Sequence, residues 1–423
     1  MLNLIKNILK KDFIRNSGLV FIVNNINNVF NYLLVIVAIF YLKNDFGLWT
    51  STSGFLAILS VPTSSFMSIL TRKVSSLAKE NPDEAYNYYL KVFAFVKSIR
   101  FWLFLSGTLV AAIMFWSLQY DTILTPILAI LSVGAAFVYS INQNFLLGIL
   151  EIPKYCWGNI LNLVVKFIST VGFLSLGLGV NTLPLGVLLA SLASFALSYT
   201  FIAQIYRNKP ISTQNIEPIN ILADSGDTWK TMVYFIILAI FLNIDIVLSR
   251  PLLTNEQNNQ YGVISTFGQI AHFGPVSFSS LIVPYASRDG HRDVYKISVL
   301  AVIGLSLLVT LLFIIGGPAV LYSFGKSNYF DLLPLITVYS IFVMAFNVMF
   351  ISLTYLISRA NFKLMKPMSI AVLGYITALL LAGALPMFEV AQRLNMMVGA
   401  SVICTVLASI YLVYQIVKEN RVP

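Results

Sequence analysis

The sequence contains few charged residues and almost no cysteine or histidine. Only 10% of its 423 residues are charged and 58% are hydrophobic, whereas a soluble domain usually carries about 25% charged residues. The two cysteines, Cys156 and Cys404, both fall in apolar segments and form neither a ligand cluster nor a disulfide framework. The composition therefore excludes an ordinary soluble domain. The sequence also lacks the cysteine cluster that redox or zinc chemistry would need. It indicates an integral membrane protein.

Enzyme signatures are also missing from the sequence. It contains no complete nucleotide-binding phosphate loop, no His/Glu metal pair and no Ser/His/Asp set at a useful membrane depth. We therefore expect a protein that is not an enzyme and that uses no cofactor and no metal. Without a nucleotide site, ATP cannot drive a process from within this chain.

Long apolar runs dominate the chain, and short polar segments separate them. Such runs are typical of membrane-spanning helices, because barrel strands would give ~10-residue alternating segments. We predict twelve spans, which cover residues 17–42, 47–70, 98–118, 123–149, 155–179, 183–205, 229–250, 262–284, 297–323, 332–357, 367–387 and 394–417.

The positive charges predict the orientation of these spans. If the N-terminus is cytoplasmic, most of the 27 Lys and Arg residues lie on the cytoplasmic side. Lys166 lies within a span, and the outer segments hold only Lys43, Arg250, Lys326 and Arg393. The positive-inside rule therefore places both termini in the cytoplasm. It also explains the net charge of +10 without a nucleic-acid partner.

A polar segment in the middle of the chain divides the spans into two groups of six. We predict an N-terminal bundle at 1–205, a cytoplasmic connector at 206–228 and a C-terminal bundle at 229–423. Similar motifs begin the second span of each half, FGLWTSTSGFLAILSVPTSSF at Phe46 and YGVISTFGQIAHFGPVSFSS at Tyr261. Because each half has an even number of spans, the repeats run parallel. The expected fold is an all-α integral membrane protein, with two parallel-repeat six-helix bundles around a central cleft.

Two stretches of the sequence carry a resemblance to a known family. Residues 28–76, around Phe46-Gly47, Pro62 and Arg72, resemble the opening helices of the polysaccharide-transporter branch of the multidrug/oligosaccharidyl-lipid/polysaccharide exporter superfamily. The stretch FLNIDIVLSRPLLTNEQNNQYGVISTFGQIAHFGPVSFSSLIVPYASR, with Asp245, Tyr261-Gly262 and Pro284, resembles the seventh and eighth helices of the same branch.

The resemblance implies an O-antigen flippase-like function. It implies export or flipping of an anionic lipid-linked oligosaccharide, of the undecaprenyl-diphosphate type, by alternating access. The expected location is the bacterial plasma (inner) membrane, where the protein would act as a monomer among membrane lipids. A proton or a sodium ion is the expected coupling ion.

Lys166 is the main candidate for substrate binding. It lies at least ~16 Å from either end of its predicted span at 1.5 Å per residue, which is farther than a lysine side chain reaches. Asn159 and Asn162 share its helical face, and that face must meet protein or water. A cationic wall that binds diphosphate or an acidic sugar is the functional interpretation. The alternative is a lysine that burial neutralises or that pairs with an acid for packing.

Asp245 and His272 are the candidates for ion coupling. Asp245 is the one acid deep in a predicted span, and His272 shares a helical face with Ser265 and Gln269. Either residue could bind a proton or an ion. The alternatives are a structural partnership of Asp245 with Arg250 or Lys166, and an interhelical hydrogen bond for His272.

The remaining candidates lie at helix ends and in the first span. Arg72, Arg100 and Arg288 lie at cytoplasmic helix ends, where they either capture phosphate or reflect only the positive-inside bias. Asn28 belongs to an asparagine stripe on the first helix. Sugar recognition and interhelical hydrogen bonding are both compatible with that stripe.

Other functions remain open at this point. A cation-coupled drug or small-molecule exporter of the same superfamily would need acids for a cationic substrate, yet the spans of the first half have none. A membrane glycosyltransferase or polymerase would need larger outer loops. A flippase for peptidoglycan precursors would resemble a family with two additional helices.

Overall fold

The computed structural model describes residues 2–42, 45–207, 228–269, 271–272, 292–323, 327–359, 361–384 and 390–419. Within these ranges the chain is almost entirely α-helical and contains no strand. The helices are α1 (Leu2–Leu42), α2 (Phe46–Leu59), α3 (Val61–Glu80), α4 (Pro82–Ser98), α5 (Arg100–Ser117), α6 (Leu124–Gly148), α7 (Ile152–Ser175), α8 (Thr182–Ile205), α9 (Thr228–Leu252), α10 (Asn255–Gly268), α11 (Arg292–Ser323), α12 (Leu333–Ser358), α13 (Met365–Ala384) and α14 (Val390–Glu419). Two short 3₁₀ helices cover Gly179–Asn181 and Ser327–Leu332.

Eleven of these helical segments are long and apolar enough to cross a membrane, with α2 and α3 counted as one segment at Phe46–Glu80. They correspond to all the predicted spans except the eighth, at 262–284. That span begins in α10, and its continuation at 273–291 lies outside the described residues. The chain is therefore a multi-pass membrane protein.

Helix α10 begins at Asn255, seven residues before the predicted start of the eighth span. Thr254 is its N-cap, and it forms a reciprocal capping box with Gln257. Such a box satisfies free N–H groups at a helix start. The prediction was wrong here because it followed the apolar run and ignored this polar first turn.

Helix α4 is a second difference from the predictions, which treated residues 71–97 as a connecting segment. Asn81 caps α4 by accepting from the Asp83 N–H at 3.0 Å, and Pro82 occupies the first turn. The buried side chain of Tyr89 donates to Asn142 Oδ1 of α6 at 2.8 Å. The prediction missed α4 because the segment is rich in charged residues, although the helix packs through one apolar face.

The chain forms two compact units. The first contains residues 1–41, 62–116 and 120–228, and the second contains 42–61, 117–119 and 229–423. Residues 42–61, which the sequence-based division assigns to the N-terminal bundle, thus group with the second unit. The predicted connector at 206–228 lies mostly outside the described residues, so its role stays a prediction.

Helix α2 groups with the second unit because the two repeat motifs pack against each other. The Gly47 N–H donates to Asn259 Oδ1 at 2.7 Å, and Ser51 Oγ donates to the Ile246 carbonyl at 2.8 Å. A Cβ on Gly262 would lie 2.7 Å from Thr50 Oγ1. Glycine at these positions lets two membrane helices approach closely. The repeated aromatic-glycine motif therefore also forms a helix–helix contact.

Candidate functional site

Among the residues that the structure describes, each unit has a site where a charged side chain lies deep within the membrane-spanning helices. In the first unit the lysine site consists of Lys166 on α7 and Asn31 on α1. In the second unit the aspartate site consists of Asp245 on α9, Tyr261 on α10 and Tyr339 on α12.

At the lysine site, Lys166 Nζ donates to Asn31 Oδ1 at 2.9 Å, and both side chains are partly buried. Within the described part of the chain, no carboxylate lies within 4.0 Å of Nζ. The α7 backbone at this level packs closely on α8, because a Cβ on Gly186 would lie 1.9 Å from Thr170 Oγ1 and 3.4 Å from the Lys166 carbonyl. Among the described residues, the partner that holds the lysine in place is therefore neutral.

Asn159 and Asn162 lie on the same face of α7 as Lys166, and both are partly buried. Asn159 Oδ1 accepts from the Tyr139 hydroxyl at 3.2 Å, and Tyr155 lies beside Asn159 one turn earlier. The structure thus places Asn159 in a group of neutral polar side chains rather than next to the lysine.

We call that group the amide cluster, and it consists of Tyr139 and Gln143 on α6, Tyr155 and Asn159 on α7, and Ser194 on α8. Gln143 lies over Gly158, where an added Cβ would be 2.0 Å from Gln143 Nε2. Ser194 lies beside Tyr139. Sequence reasoning missed Gln143. The signal available for it was the run Asn142-Gln143-Asn144 within an otherwise apolar span.

At the aspartate site, the side chain of Asp245 is completely buried. Its Oδ2 accepts from the Tyr261 hydroxyl at 2.7 Å and from the Tyr339 hydroxyl at 2.8 Å. Ser401 Oγ lies 3.3 Å from the Tyr261 hydroxyl and accepts from Tyr375 at 3.2 Å. Oδ1 has no hydrogen-bond partner in the described part of the chain. Two side chains therefore hold Oδ2, whereas no described side chain donates to Oδ1.

The sequence contained a signal for the pairing of Asp245 with Tyr261 that our predictions did not use. Helices α9 and α10 are consecutive, and both residues lie about two turns from the connection between the helices. Residues at equal depth in a helical hairpin lie close together. Tyr339 lies 94 residues after Asp245 in the chain, and no pattern in the sequence indicates the contact between them.

His272 lies at the end of a described stretch and is partly buried. Its Nδ1 lies 2.5 Å from Asn347 Oδ1, and Asn347 Nδ2 donates to the Ala271 carbonyl at 3.0 Å and to Ser306 Oγ at 3.1 Å. Because the amide nitrogen has these two acceptors, Nδ1 of the histidine is the donor to Oδ1. This is the interhelical hydrogen-bonded arrangement that the sequence left as an alternative.

Of the other predicted residues, those that the structure describes do not join either site. Arg72 on α3 and Arg100 at the start of α5 are exposed, Asn28 on α1 is partly buried, and Arg288 lies outside the described residues. Arg250 donates through Nε to the Leu118 carbonyl at 3.2 Å and through Nη1 to Asn255. Neither Arg250 nor Lys166 forms an ion pair with Asp245 within the described residues.

No protein-family model matches the chain, and a search of curated proteins gives no match either. Solved structures do match. An inward-facing multidrug resistance MATE family transporter of the MOP superfamily has a TM-score of 0.65 and 11% identity, over 94% of this chain and 96% of that chain. An outward-facing one has a TM-score of 0.61 and 13% identity, over 95% and 96% of the two chains.

A third similar structure is a MOP superfamily transporter from Pyrococcus furiosus, described as having a binding pocket of reverse polarity that suggests a different function. Its TM-score is 0.59 at 13% identity, over 96% of each chain. These likenesses show that the chain has a MATE-like transporter fold with two repeated bundles. At such low identity they assign no role to any residue.

Proposed function

We propose that this protein is an exporter that moves an anionic lipid-linked oligosaccharide across the membrane by alternating access. The observation that carries the proposal is the lysine site, where Lys166 Nζ has a neutral partner at 2.9 Å and no carboxylate within 4.0 Å in the described part of the chain. Neighbours of the same fold in inward-facing and outward-facing conformations support alternating access.

The charge of Lys166 favours an anionic substrate. A cation in the middle of a membrane span is costly, by at least ~2.5–3.5 kcal/mol on insertion scales, and a neutral amide offsets only part of that cost. A diphosphate group would supply the missing negative charge through charge-assisted hydrogen bonds. The undecaprenyl-diphosphate type of substrate, which the sequence resemblance implies, carries such a group.

Asp245 is our proposed coupling residue, and a proton is the proposed ion. Two tyrosine hydroxyls fix Oδ2, whereas Oδ1 is buried and free to accept a proton. A buried carboxylate without a cation is costly, and a proton on Oδ1 removes its charge. The aspartate site therefore has two states that differ by one proton. His272 has its Nδ1 committed to Asn347, so we assign it a structural role.

The orientation follows from the positive-inside bias of the sequence, and the location is what the resemblance to the polysaccharide-transporter branch implies. We place both termini in the cytoplasm and the protein in a bacterial inner membrane, as a functional monomer. The exposed Arg72 and Arg100 would then face the cytoplasm, where they are suited to attract the diphosphate before it reaches Lys166.

A cation-coupled drug exporter is the second candidate. The MATE neighbours, which are described as multidrug resistance transporters, favour it, and so does the buried acid at the aspartate site. A cationic drug at the lysine site would meet a like charge, so this candidate requires binding in the second unit only.

The two candidates can be separated in proteoliposomes. A fluorescent polyprenyl-diphosphate oligosaccharide in one leaflet should cross in the presence of the purified protein, and a lipophilic cationic dye trapped in the lumen should be retained. Empty liposomes give the background for both measurements. Export of the dye without transfer of the lipid would overturn the oligosaccharide proposal in favour of the drug exporter.

A further inference from the structure

We infer that the amide cluster of the first unit binds the uncharged, hydroxyl-bearing sugar of the substrate, next to the diphosphate held by Lys166. This inference rests on the proposed function and extends it, because it assigns the sugar and the diphosphate to two different groups of residues. The residue that carries it is Gln143.

Gln143 is 3% exposed, and neither atom of its amide group has a hydrogen-bond partner in the described structure. A buried polar group without a partner is costly, and native structures contain few of them. The preceding residue, Asn142, is a buried amide with hydrogen-bond partners, as is usual. It accepts from Tyr89 at 2.8 Å and donates to Ser198 at 3.1 Å. Gln143 is therefore a buried amide that can hydrogen-bond a ligand, because the described helices around it supply no partner.

The chemistry of the amide cluster favours a hydroxyl group as that partner. The Gln143 amide offers two N–H donors and one carbonyl acceptor, and the hydroxyls of Tyr139 and Ser194 can both donate and accept. A phosphate oxygen could use only the donors, and an ammonium group could use only the acceptors. A sugar hydroxyl is donor and acceptor at once, so it can satisfy both ends of the amide, which neither a phosphate oxygen nor an ammonium group can do.

The position of the cluster fits a sugar that is attached to a diphosphate. Asn159 and Lys166 lie on one face of α7 and are seven residues apart, which is about 10 Å along a helix at 1.5 Å per residue. Gln143 lies against Gly158, which precedes Asn159 on α7, and Tyr139, one turn before Gln143 on α6, donates to Asn159. A ligand whose diphosphate contacts Lys166 can therefore present its first sugar to the amide cluster.

The test uses the full chain in detergent and two probes, farnesyl diphosphate and farnesyl-diphospho-N-acetylglucosamine, with affinities measured by calorimetry. The wild-type protein should bind the sugar-bearing probe about tenfold more tightly, which is what one or two net hydrogen bonds account for. The substitution Gln143→Leu should remove this tenfold preference and leave the affinity for farnesyl diphosphate unchanged. Lys166→Gln should weaken the binding of both probes.

A second variant moves the amide without changing its chemistry. The substitution Gly158→Ala would place a methyl group 2.0 Å from Gln143 Nε2, and the flexible end of that side chain would have to shift. It should reduce the sugar preference as Gln143→Leu does. A thermal unfolding experiment controls for structure. Gln143→Leu should melt at or above the wild-type temperature, whereas Asn142→Leu, which removes the hydrogen bonds to Tyr89, Phe195 and Ser198, should melt below it.

The outcomes distinguish this inference from the proposed function. If wild-type protein binds the two probes equally, or if Gln143→Leu keeps the preference, the amide cluster does not bind the sugar, and the role of Lys166 is unaffected. If wild-type protein binds neither probe, the proposed function fails and this inference fails with it. A lower melting temperature for Gln143→Leu would make the residue a packing element only.

Discussion

The lysine site and the aspartate site both hold a charged group within membrane-spanning helices, but they stabilise it differently. Asp245 is completely buried, and two tyrosine hydroxyls donate to one of its oxygens. Lys166 is only partly buried and has one neutral acceptor, Asn31. The aspartate site can remove its charge with a proton and needs no other ligand. In the proposed function, an anion from outside the chain completes the lysine site, and the two sites then have different roles, one in coupling and one in substrate binding.

The largest effect is expected from removing the lysine charge. The substitution Lys166→Ala should reduce transport at least ~30-fold, because the loss of one partner of a desolvated charge pair costs about 2–5 kcal/mol. Complementation of a flippase-deficient strain measures it, with expression and membrane insertion checked by immunoblot. Lys166→Arg should retain part of the activity, since the charge is kept while the geometry changes. Normal transport by Lys166→Ala would show that the lysine is structural.

A substitution at the aspartate site should change proton coupling rather than substrate binding. The substitution Asp245→Asn keeps an oxygen that accepts from Tyr261 and Tyr339, but it cannot gain or lose a proton. We expect an imposed pH gradient to stop stimulating transport in proteoliposomes, while the affinity for the substrate stays within about twofold. Conversely, a pH-gradient response in Asp245→Asn equal to that of the wild type would exclude this residue from coupling.

A carboxylate added to the lysine site should neutralise the charge of Lys166 from within the chain, so that the site needs no external ligand, like the aspartate site. In Asn31→Asp the new carboxylate would lie at the position that Lys166 Nζ already contacts at 2.9 Å. An internal ion pair then competes with the diphosphate, and we expect the affinity for an anionic substrate to fall roughly tenfold. Asn31→Leu serves as the control, because it removes the amide without adding a charge. Equal affinity in Asn31→Asp and the wild type would contradict the proposed role of Lys166.

The smallest effect concerns packing around the aspartate site. A Cβ on Gly268 would lie 2.4 Å from the buried ring of Tyr339, whereas a Cβ on Gly374 would meet no atom within 4 Å. Gly268→Ala should therefore cost about 1–3 kcal/mol of stability. Gly374→Ala should be neutral or stabilise the helix by about 0.5–1 kcal/mol. Thermal unfolding in detergent measures both, and similar melting temperatures for the two variants would show that Tyr339 can move freely.

Several features of the fold could be predicted from the sequence because local composition decides them. Membrane-spanning helices need long apolar runs, and eleven of the twelve predicted spans correspond to described helices. The predictions were wrong where a polar segment forms a helix, as in α4 and in the first turn of α10. Those helices depend on caps and on partners in other helices, which periodicity within one segment does not reveal.

By itself, the sequence determined the membrane class, eleven of the twelve predicted spans and the presence of one lysine and one aspartate at membrane depth, since an uncompensated charge stands out against an apolar background. Only the tertiary structure decided the partners of these charges. Asn31 lies 135 residues from Lys166, and Tyr339 lies 94 residues from Asp245. A helix contacts whichever helix packs beside it, and no spacing along one chain segment encodes such a neighbour. Gln143 is a further example. Only the tertiary structure shows that its amide group has no hydrogen-bond partner among the described residues.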